Sequence, residues 1–277
     1  MPDGDITRPL APSRIPMRRL GLIGLSVVGV AGTVSIFTAG GGPGFDTYAY
    51  WLTGHGPLYA VGSGLGAFQY TPAALFFLWP VSLLPWPLAF PVWLAISTAA
   101  FVALGGRWSL ALLLFVPIPM ELYEGNVHLL LALAIVVGFR CPAAWAFVLV
   151  TKITPGVGLL WFVVRREWRS LAIALVVTAL LLGASLLIPG AWAAWWAHTT
   201  DNPQGMTPNQ ISVPLWLRLP VAVAVVVWGA RTDRRWTVIV AATMALPSLW
   251  FYGLSMLVGL VPLATQRSKP GGHGAVS

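Results

Sequence analysis

The sequence predicts an all-α, polytopic integral membrane protein with about ten transmembrane helices, some of them short or broken. Three observations lead there. Of 277 residues, 57% are apolar and only 9% charged, against roughly 45–50% and 25% in soluble domains. Mean hydropathy is +0.80, and the chain carries 15 Trp, a residue that collects at membrane–water interfaces. The basic residues, finally, fall in short clusters between apolar runs, as topology determinants do. Such a chain has no room for a soluble catalytic head of ordinary size. Its single cysteine, Cys141, can close no intrachain disulfide and build no zinc cluster. The net charge of +8 is read as orientation signal, and no nucleic-acid partner is expected.

Taken in order, residues 1–19 are rich in Pro and Arg without apolar periodicity and read as a disordered cytoplasmic tail. Residues 20–38 are apolar enough to span. An Arg-rich start before an apolar run also fits a signal peptide, but the long tail and the membranous remainder favour an uncleaved first helix. A polar, aromatic loop follows at 39–69. Apolar runs then stand at 70–84, 88–104, 109–120, 127–139, 143–164, 171–188, 213–229, 236–248 and 251–264. Several fall short of a full span, as broken or re-entrant pieces do where backbone lines an enclosed cavity. Residues 20–265 thus form a single transmembrane domain, with a second outer loop at 189–212 and a cytoplasmic tail at 266–277.

Orientation follows from charge. With the N-terminus inside and ten crossings, Arg8, Arg14, Arg18, Arg19, Arg165, Arg166, Arg169, Arg231, Arg234, Arg235, Arg267 and Lys269 all lie in the cytoplasm. Only Arg107 and Arg140 lie outside, a split of 12 to 2 that obeys the positive-inside rule. Both termini are then cytoplasmic in a multi-pass protein of the cell membrane. Any chemistry belongs to the extracytoplasmic face, with Trp192, Trp195 and Trp196 at headgroup level.

The chain has no phosphate-binding loop, and Gly62-Ser63-Gly64-Leu65-Gly66 neither follows a strand nor opens a dinucleotide unit. Asp3-Gly4-Asp5 lies in the tail, so its D-x-D form is read as chance. Glu167 and Asp233 sit inside arginine clusters. Of the remaining acids, Asp46 follows the first helix in Gly44-Phe45-Asp46-Thr47-Tyr48-Ala49-Tyr50-Trp51. Spacing alone favours a helix N-cap there over a carboxylate that deprotonates a hydroxyl.

Lys152 lies within an apolar run, 13 residues before Arg165. That is about 20 Å of helix, too far to snorkel, so a cavity or ion-pair role is expected. Arg218 sits nearer the outer loop, where snorkelling and phosphate binding stand level. Glu121-Leu122-Tyr123-Glu124-Gly125-Asn126-Val127-His128 reads as a plain turn or as a polar break hinged at Gly125. His128 reads as a hydrogen-bonded core residue before it reads as a ligand. No metal site and no cofactor are expected.

In order along the chain, these segments resemble glycosyltransferase family 87 of the GT-C superfamily, the membrane mannosyl- and arabinosyltransferases that use polyprenyl-phosphate sugars. Asp46-Thr47-Tyr48 with Gly54-His55-Gly56-Pro57-Leu58-Tyr59 resembles D-x-x-Y…G-x-P-L-Y. Phe68-Gln69-Tyr70-Thr71-Pro72 with Leu83-Leu84-Pro85 is similar to F-x-Y-x-P…L-L-P, and Gly125-Asn126-Val127-His128 to G-Q-V-N. Lys152-Ile153-Thr154-Pro155 with Arg165-Arg166-Glu167-Trp168-Arg169 resembles K-x-x-P…R-R-x-W-R, and Asn209-Gln210-Ile211-Ser212 with Arg218-Leu219 resembles N-Q-S…R-L.

The resemblance implies a GT-C-like fold and transfer of a sugar, mannose first, from a polyprenyl-phosphate donor to a cell-envelope lipid or glycan acceptor. It implies Asp46 as catalytic base. Tyr48, Tyr50, Tyr70, Asn126, His128, Asn209 and Gln210 would bind substrate, and Arg218 and Lys152 the donor phosphate. Two departures stand out: the chain is shorter than the family usually runs, and Pro247-Ser248-Leu249-Trp250-Phe251-Tyr252-Gly253 lacks the histidines of S-P-x-S-W-x-H-H. They motivate an alternative, a non-catalytic member that binds polyprenyl-linked glycans as an accessory or flippase subunit.

Overall fold

The computed structural model of the protein describes residues 42–201 and 210–265. The expected tails, the first helix at 20–38, and Asn209 lie outside the described residues. Within them every regular element is helical, and the one β-type pairing is an isolated antiparallel bridge between Gln210 and Trp250.

Helix α1 is Phe45–Leu52. A 3₁₀ turn at Pro72–Ala74, α2 at Leu75–Leu78 and a 3₁₀ turn at Trp79–Leu83 follow as one bent unit. Helix α3, Trp86–Gly105, continues through a 3₁₀ turn at Gly106–Trp108 into α4, Ser109–Leu112. Helices α5, Pro117–Glu124, and α6, His128–Gly138, meet at a sharp corner. A 3₁₀ turn at Pro142–Ala144 leads into α7, Trp145–Thr151, and another at Thr154–Leu159 into α8, Leu160–Val164. Helices α9, Trp168–Ser185, and α10, Ala191–Asp201, precede α11, Leu215–Arg231, and α12, Trp236–Met244. The described chain ends in a 3₁₀ stretch at Phe251–Gly259 and α13, Leu260–Thr265.

Proline explains the shortness of these pieces. Pro occupies the first or second position of six of them, at Pro72, Pro80, Pro87, Pro117, Pro142 and Pro155. There its missing N–H is harmless and its φ already helical. The ring disfavours continuation of the helix before it, although α3 and α11 carry Pro91 and Pro220 in their interiors. Among the described residues two helical stretches remain long and apolar enough to cross a membrane, Trp86–Leu112 with 27 residues and Trp168–Ser185 with 18. At 1.5 Å per residue they reach about 40 and 27 Å, against a hydrocarbon core of about 30 Å. The α5–α6 pair, bent by 109°, makes a third if it counts as one broken span. The described helices therefore do not supply ten continuous crossings. Apolar runs that read as spans are broken at Pro or Gly into helices such as Pro142–Thr151 and Thr154–Val164.

The core gathers around α6, whose Leu129, Leu131, Ala132 and Ile135 are fully buried against α3, α7 and the 251–259 stretch. Trp145, Trp161 and Phe162 fill the adjoining layer. At one end Arg165 ties two turns together. It pairs with Glu167 at 3.0 Å and Asp233 at 2.8 Å and donates to the Ala230 carbonyl at 3.3 Å. In the expected outer loops, Trp51 stacks on His55, the Tyr59 ring meets His198 of α10, and Trp196 is 66% exposed.

Candidate functional site

The site is built where α1 meets the α5–α6 corner. Gly125 closes α5 in the left-handed region at φ 69°, ψ 36°, where a side chain would be strained. A Cβ there would also lie 2.0 Å from Thr47 Oγ1. That hydroxyl donates to the Gly125 carbonyl at 3.1 Å, and the Gly44 N–H donates to the Tyr123 carbonyl at 2.8 Å. Two bonds on either side of Asp46 thus fasten the first turn of α1 to the corner that carries Asn126.

Asp46 is not the N-cap that its spacing favoured. Gly44 is the cap, at φ 82° and with no side-chain bond, and Asp46 stands in the first helical turn. Its carboxylate turns to the corner instead. Oδ2 accepts the Asn126 amide Nδ2–H at 2.7 Å and the Tyr252 hydroxyl at 3.4 Å; among the described residues no donor reaches Oδ1. Asn126 is itself fixed, since its Oδ1 accepts the Val127 N–H at 2.7 Å and the Tyr70 hydroxyl at 3.3 Å. Tyr70 has one proton and gives it to Asn126, so at the 3.2 Å Tyr50–Tyr70 contact the Tyr50 hydroxyl is the donor. Burial pushes the Asp46 carboxyl above its ordinary range, opposed in part by the Asn126 bond and the Lys152 charge.

A second chain of bonds runs behind this one. Glu121 accepts the His128 backbone N–H at 2.6 Å on Oε1 and faces His128 Nδ1 at 2.8 Å with Oε2. Both side chains are completely buried. His128 Nε2 in turn stands 2.8 Å from Lys152 Nζ. Lys152 is free to project because α7 ends at Thr151 and Lys152 itself is extended, at φ −136°, ψ 104°. Its ammonium also lies 5.9 Å from the centre of the Tyr70 ring, which joins the two chains of bonds.

The structure therefore brings Asp46, Asn126, Tyr70, Tyr50, His128 and Lys152 together and adds two residues that sequence reasoning missed. The sequence reads Glu121 as part of a plain turn or of a polar break between two apolar runs, and a carboxylate seven residues before a histidine is the signal that was available. Tyr252 sits 206 positions from Asp46 in a stretch read for its missing histidines. Tyr48 stands apart, stacked on Trp51 and edge-on to Trp86. Gln210 pairs through its backbone with Trp250, whose ring stacks on Tyr252. Asn209 lies outside the described residues.

Arg218 makes no hydrogen bond or ion pair with this cluster. Its Nε donates to the Val213 carbonyl at 2.7 Å, Nη1 to those of Met244 and Leu246, and Nη2 to that of Pro247 at 3.3 Å. Thr154 Oγ1 donates to the neighbouring Ala245 carbonyl, and the Ile211 N–H to that of Leu249 at 2.8 Å. Together they hold the segment that delivers Tyr252. Among the described residues no three His, Cys, Asp or Glu side chains converge to hold a metal ion.

In a comparison with known families, the model of glycosyltransferase family 87 matches residues 68–269. The matched stretch takes in Tyr70, Glu121, Asn126, His128, Lys152, Arg218 and Tyr252, while Asp46 lies upstream of it. No curated protein and no solved structure matches the chain.

Proposed function

Since the chain belongs to glycosyltransferase family 87, and is thus a glycosyltransferase with membrane-capable helices, we propose that it moves a sugar from a polyprenyl-phosphate donor to a lipid or glycan acceptor. Mannose is the first candidate and arabinose the second. Transfer takes place at the extracytoplasmic face of the cell membrane, with both termini in the cytoplasm. The observation that carries this reading is the carboxylate of Asp46, held by Asn126 and Tyr252 on one oxygen, with the Lys152 cation fixed in the same cluster.

In this mechanism the Asp46 carboxylate takes the proton of the acceptor hydroxyl while that oxygen attacks the anomeric carbon. The bond from the anomeric carbon to the phosphate oxygen breaks, and the configuration inverts. Negative charge grows on the departing polyprenyl phosphate, where a positioned cation stabilises the transition state more than the ground state. Lys152 supplies that cation. Arg218 has four of its N–H groups on backbone carbonyls and acts by holding the 244–247 segment. Tyr70, with Tyr50 behind it, sets the Asn126 amide.

An apolar groove of about 520 Å³ supports a lipid-borne donor. Its lining includes Thr154 and Gly156, just past Lys152 in the chain, with Leu160, Leu171 and Leu219. A prenyl chain entering from the bilayer fits such a surface, and the phosphate would stay near Lys152.

The test is transfer of labelled mannose from polyprenyl-phosphate-mannose by the purified protein, with total cell-envelope lipid as acceptor and an arabinosyl donor in parallel. Asp46→Asn keeps the shape and removes the base, so kcat should fall about 10²- to 10⁴-fold. Undiminished turnover in Asp46→Asn would remove Asp46 from the chemistry. Donor binding without transfer in the wild type would leave the accessory reading.

A further inference from the structure

Glu121 and His128 are buried, titratable side chains that the mechanism does not use. Neither has any exposed surface; the resemblance implies a substrate-binding role for His128, and a buried ring can serve such a role through the neighbour it holds. Each of the three residues in this line comes from a different element. Glu121 lies in α5, His128 opens α6, and Lys152 follows the end of α7. Nothing local in the chain requires them to meet, and packing three helices to place them in series is a long-range feature of the fold.

The chemistry of the series has a direction. An ionised carboxylate only accepts, so a proton on His128 Nδ1 satisfies the 2.8 Å contact with Glu121. The second Glu121 oxygen takes the backbone N–H of the same residue, which locks the ring to its own helix terminus. With Nδ1 protonated, neutral His128 presents a lone pair at Nε2, and an ammonium only donates. The 2.8 Å contact with Lys152 Nζ is then a bond from lysine to histidine. Lysine is a flexible side chain with a point charge and no preferred fork geometry, and a buried ring that accepts one of its N–H groups removes that freedom.

We propose that Glu121 and His128 are positioning residues that hold the Lys152 ammonium in place to receive the phosphate of a polyprenyl-phosphate ligand. This rests on the reading of Lys152 as the phosphate-binding cation. Glu121 selects the histidine tautomer, His128 aims the ammonium, and Lys152 alone touches the ligand. The arrangement has the logic of buried partners that orient a first-contact group, as in metal sites where a carboxylate fixes the histidine ligand.

The test is a double-mutant cycle on the full-length protein in detergent, read as the Kd of geranylgeranyl phosphate by tryptophan fluorescence and, in parallel, as kcat/KM of sugar transfer. His128→Leu should weaken binding about tenfold or more, the scale of misplacing one aligned group. In a Lys152→Met background the same change should alter Kd by less than about twofold, because the residue it acts through is gone. His128→Gln, whose amide can donate to Glu121 and whose carbonyl can accept from Lys152, should recover most of the affinity. Glu121→Gln should show a smaller loss with the same dependence on Lys152.

Equal losses from His128→Leu in both backgrounds would overturn the proposal, since a merely structural histidine acts whether or not Lys152 is present. Failure of the wild type to bind the phosphate would overturn it too. Binding with the expected cycle but no transfer would leave the relay standing and sink the catalytic reading instead.

Discussion

Lys152 and Arg218 both place a cation among apolar residues, and the fold treats them in opposite ways. Arg218 is surrounded by backbone: four of its N–H groups end on carbonyls of Val213, Met244, Leu246 and Pro247. Lys152 meets side chains, donating to His128 with Tyr70 beneath and the carboxylates of Asp46 and Glu121 close enough to act on its charge. Carbonyls that bind a guanidinium are fixed by the chain and leave it little to offer a ligand. An ammonium has three donors, and among the described residues one is taken. The difference separates a cation that rivets a loop from one that can receive an anion.

Four substitutions or conditions sharpen that contrast. The largest effect belongs to Arg218→Met, which leaves several carbonyls without a donor. It should lower stability by about 3–5 kcal/mol, the scale of breaking a buried charged network, and urea or thermal unfolding in detergent reads it directly. Gly125→Ala comes next, because it combines a left-handed backbone with a clash against Thr47 Oγ1. A loss of about 1–3 kcal/mol is expected from such strain, with reduced transfer as α1 and Asp46 shift away from Asn126.

The third is pH. Burial raises the Asp46 carboxyl, and a base works only when deprotonated. Activity should therefore be full above the raised pKa and fall about tenfold per pH unit below it, with the midpoint above the ordinary value of about 3.9. A kcat/KM profile with its acid limb at or below that value would contradict the burial argument. The smallest effect is expected for Tyr50→Phe, which removes only the outermost hydroxyl of the Tyr50–Tyr70–Asn126 line. A loss of about 1 kcal/mol of stability or less follows from one neutral hydrogen bond, with transfer nearly unchanged.

Much of this was legible in one dimension. Apolar composition announces helices, the shortness of several apolar runs announces that some are broken, and one of the two readings of 121–128, a polar break hinged at Gly125, is where the corner stands. The distance of Lys152 from Arg165 is reason to expect a cavity or an ion pair around it, and the structure gives its ammonium a hydrogen bond to His128. What stayed hidden depends on distance along the chain. Asp46 reads locally as a cap, and only the tertiary meeting with Asn126, 80 positions on, shows its carboxylate turned elsewhere. Tyr252 gives no signal in a stretch of apolar residues. Arg218 reads equally as snorkel or phosphate ligand, because carbonyls from the far end of α12 leave no mark in the residues around it. The ten-span count is not confirmed for a related reason: hydropathy sums along a run, whereas among the described residues several runs are broken into shorter helices.

The most direct test sets Lys152→Met beside Arg218→Met and reads two quantities for each, the unfolding midpoint in detergent and the Kd for geranylgeranyl phosphate. Lys152→Met should keep most of its stability and lose at least about tenfold in affinity, since a positioned charge on a phosphate is worth about 1.5–3 kcal/mol. Arg218→Met should lose midpoint first, and the milder Arg218→Lys, if it stays folded, should bind the phosphate nearly as the wild type does. Undiminished affinity in Lys152→Met, or a loss of affinity in folded Arg218→Lys that matches it, would contradict the division of roles between the two cations.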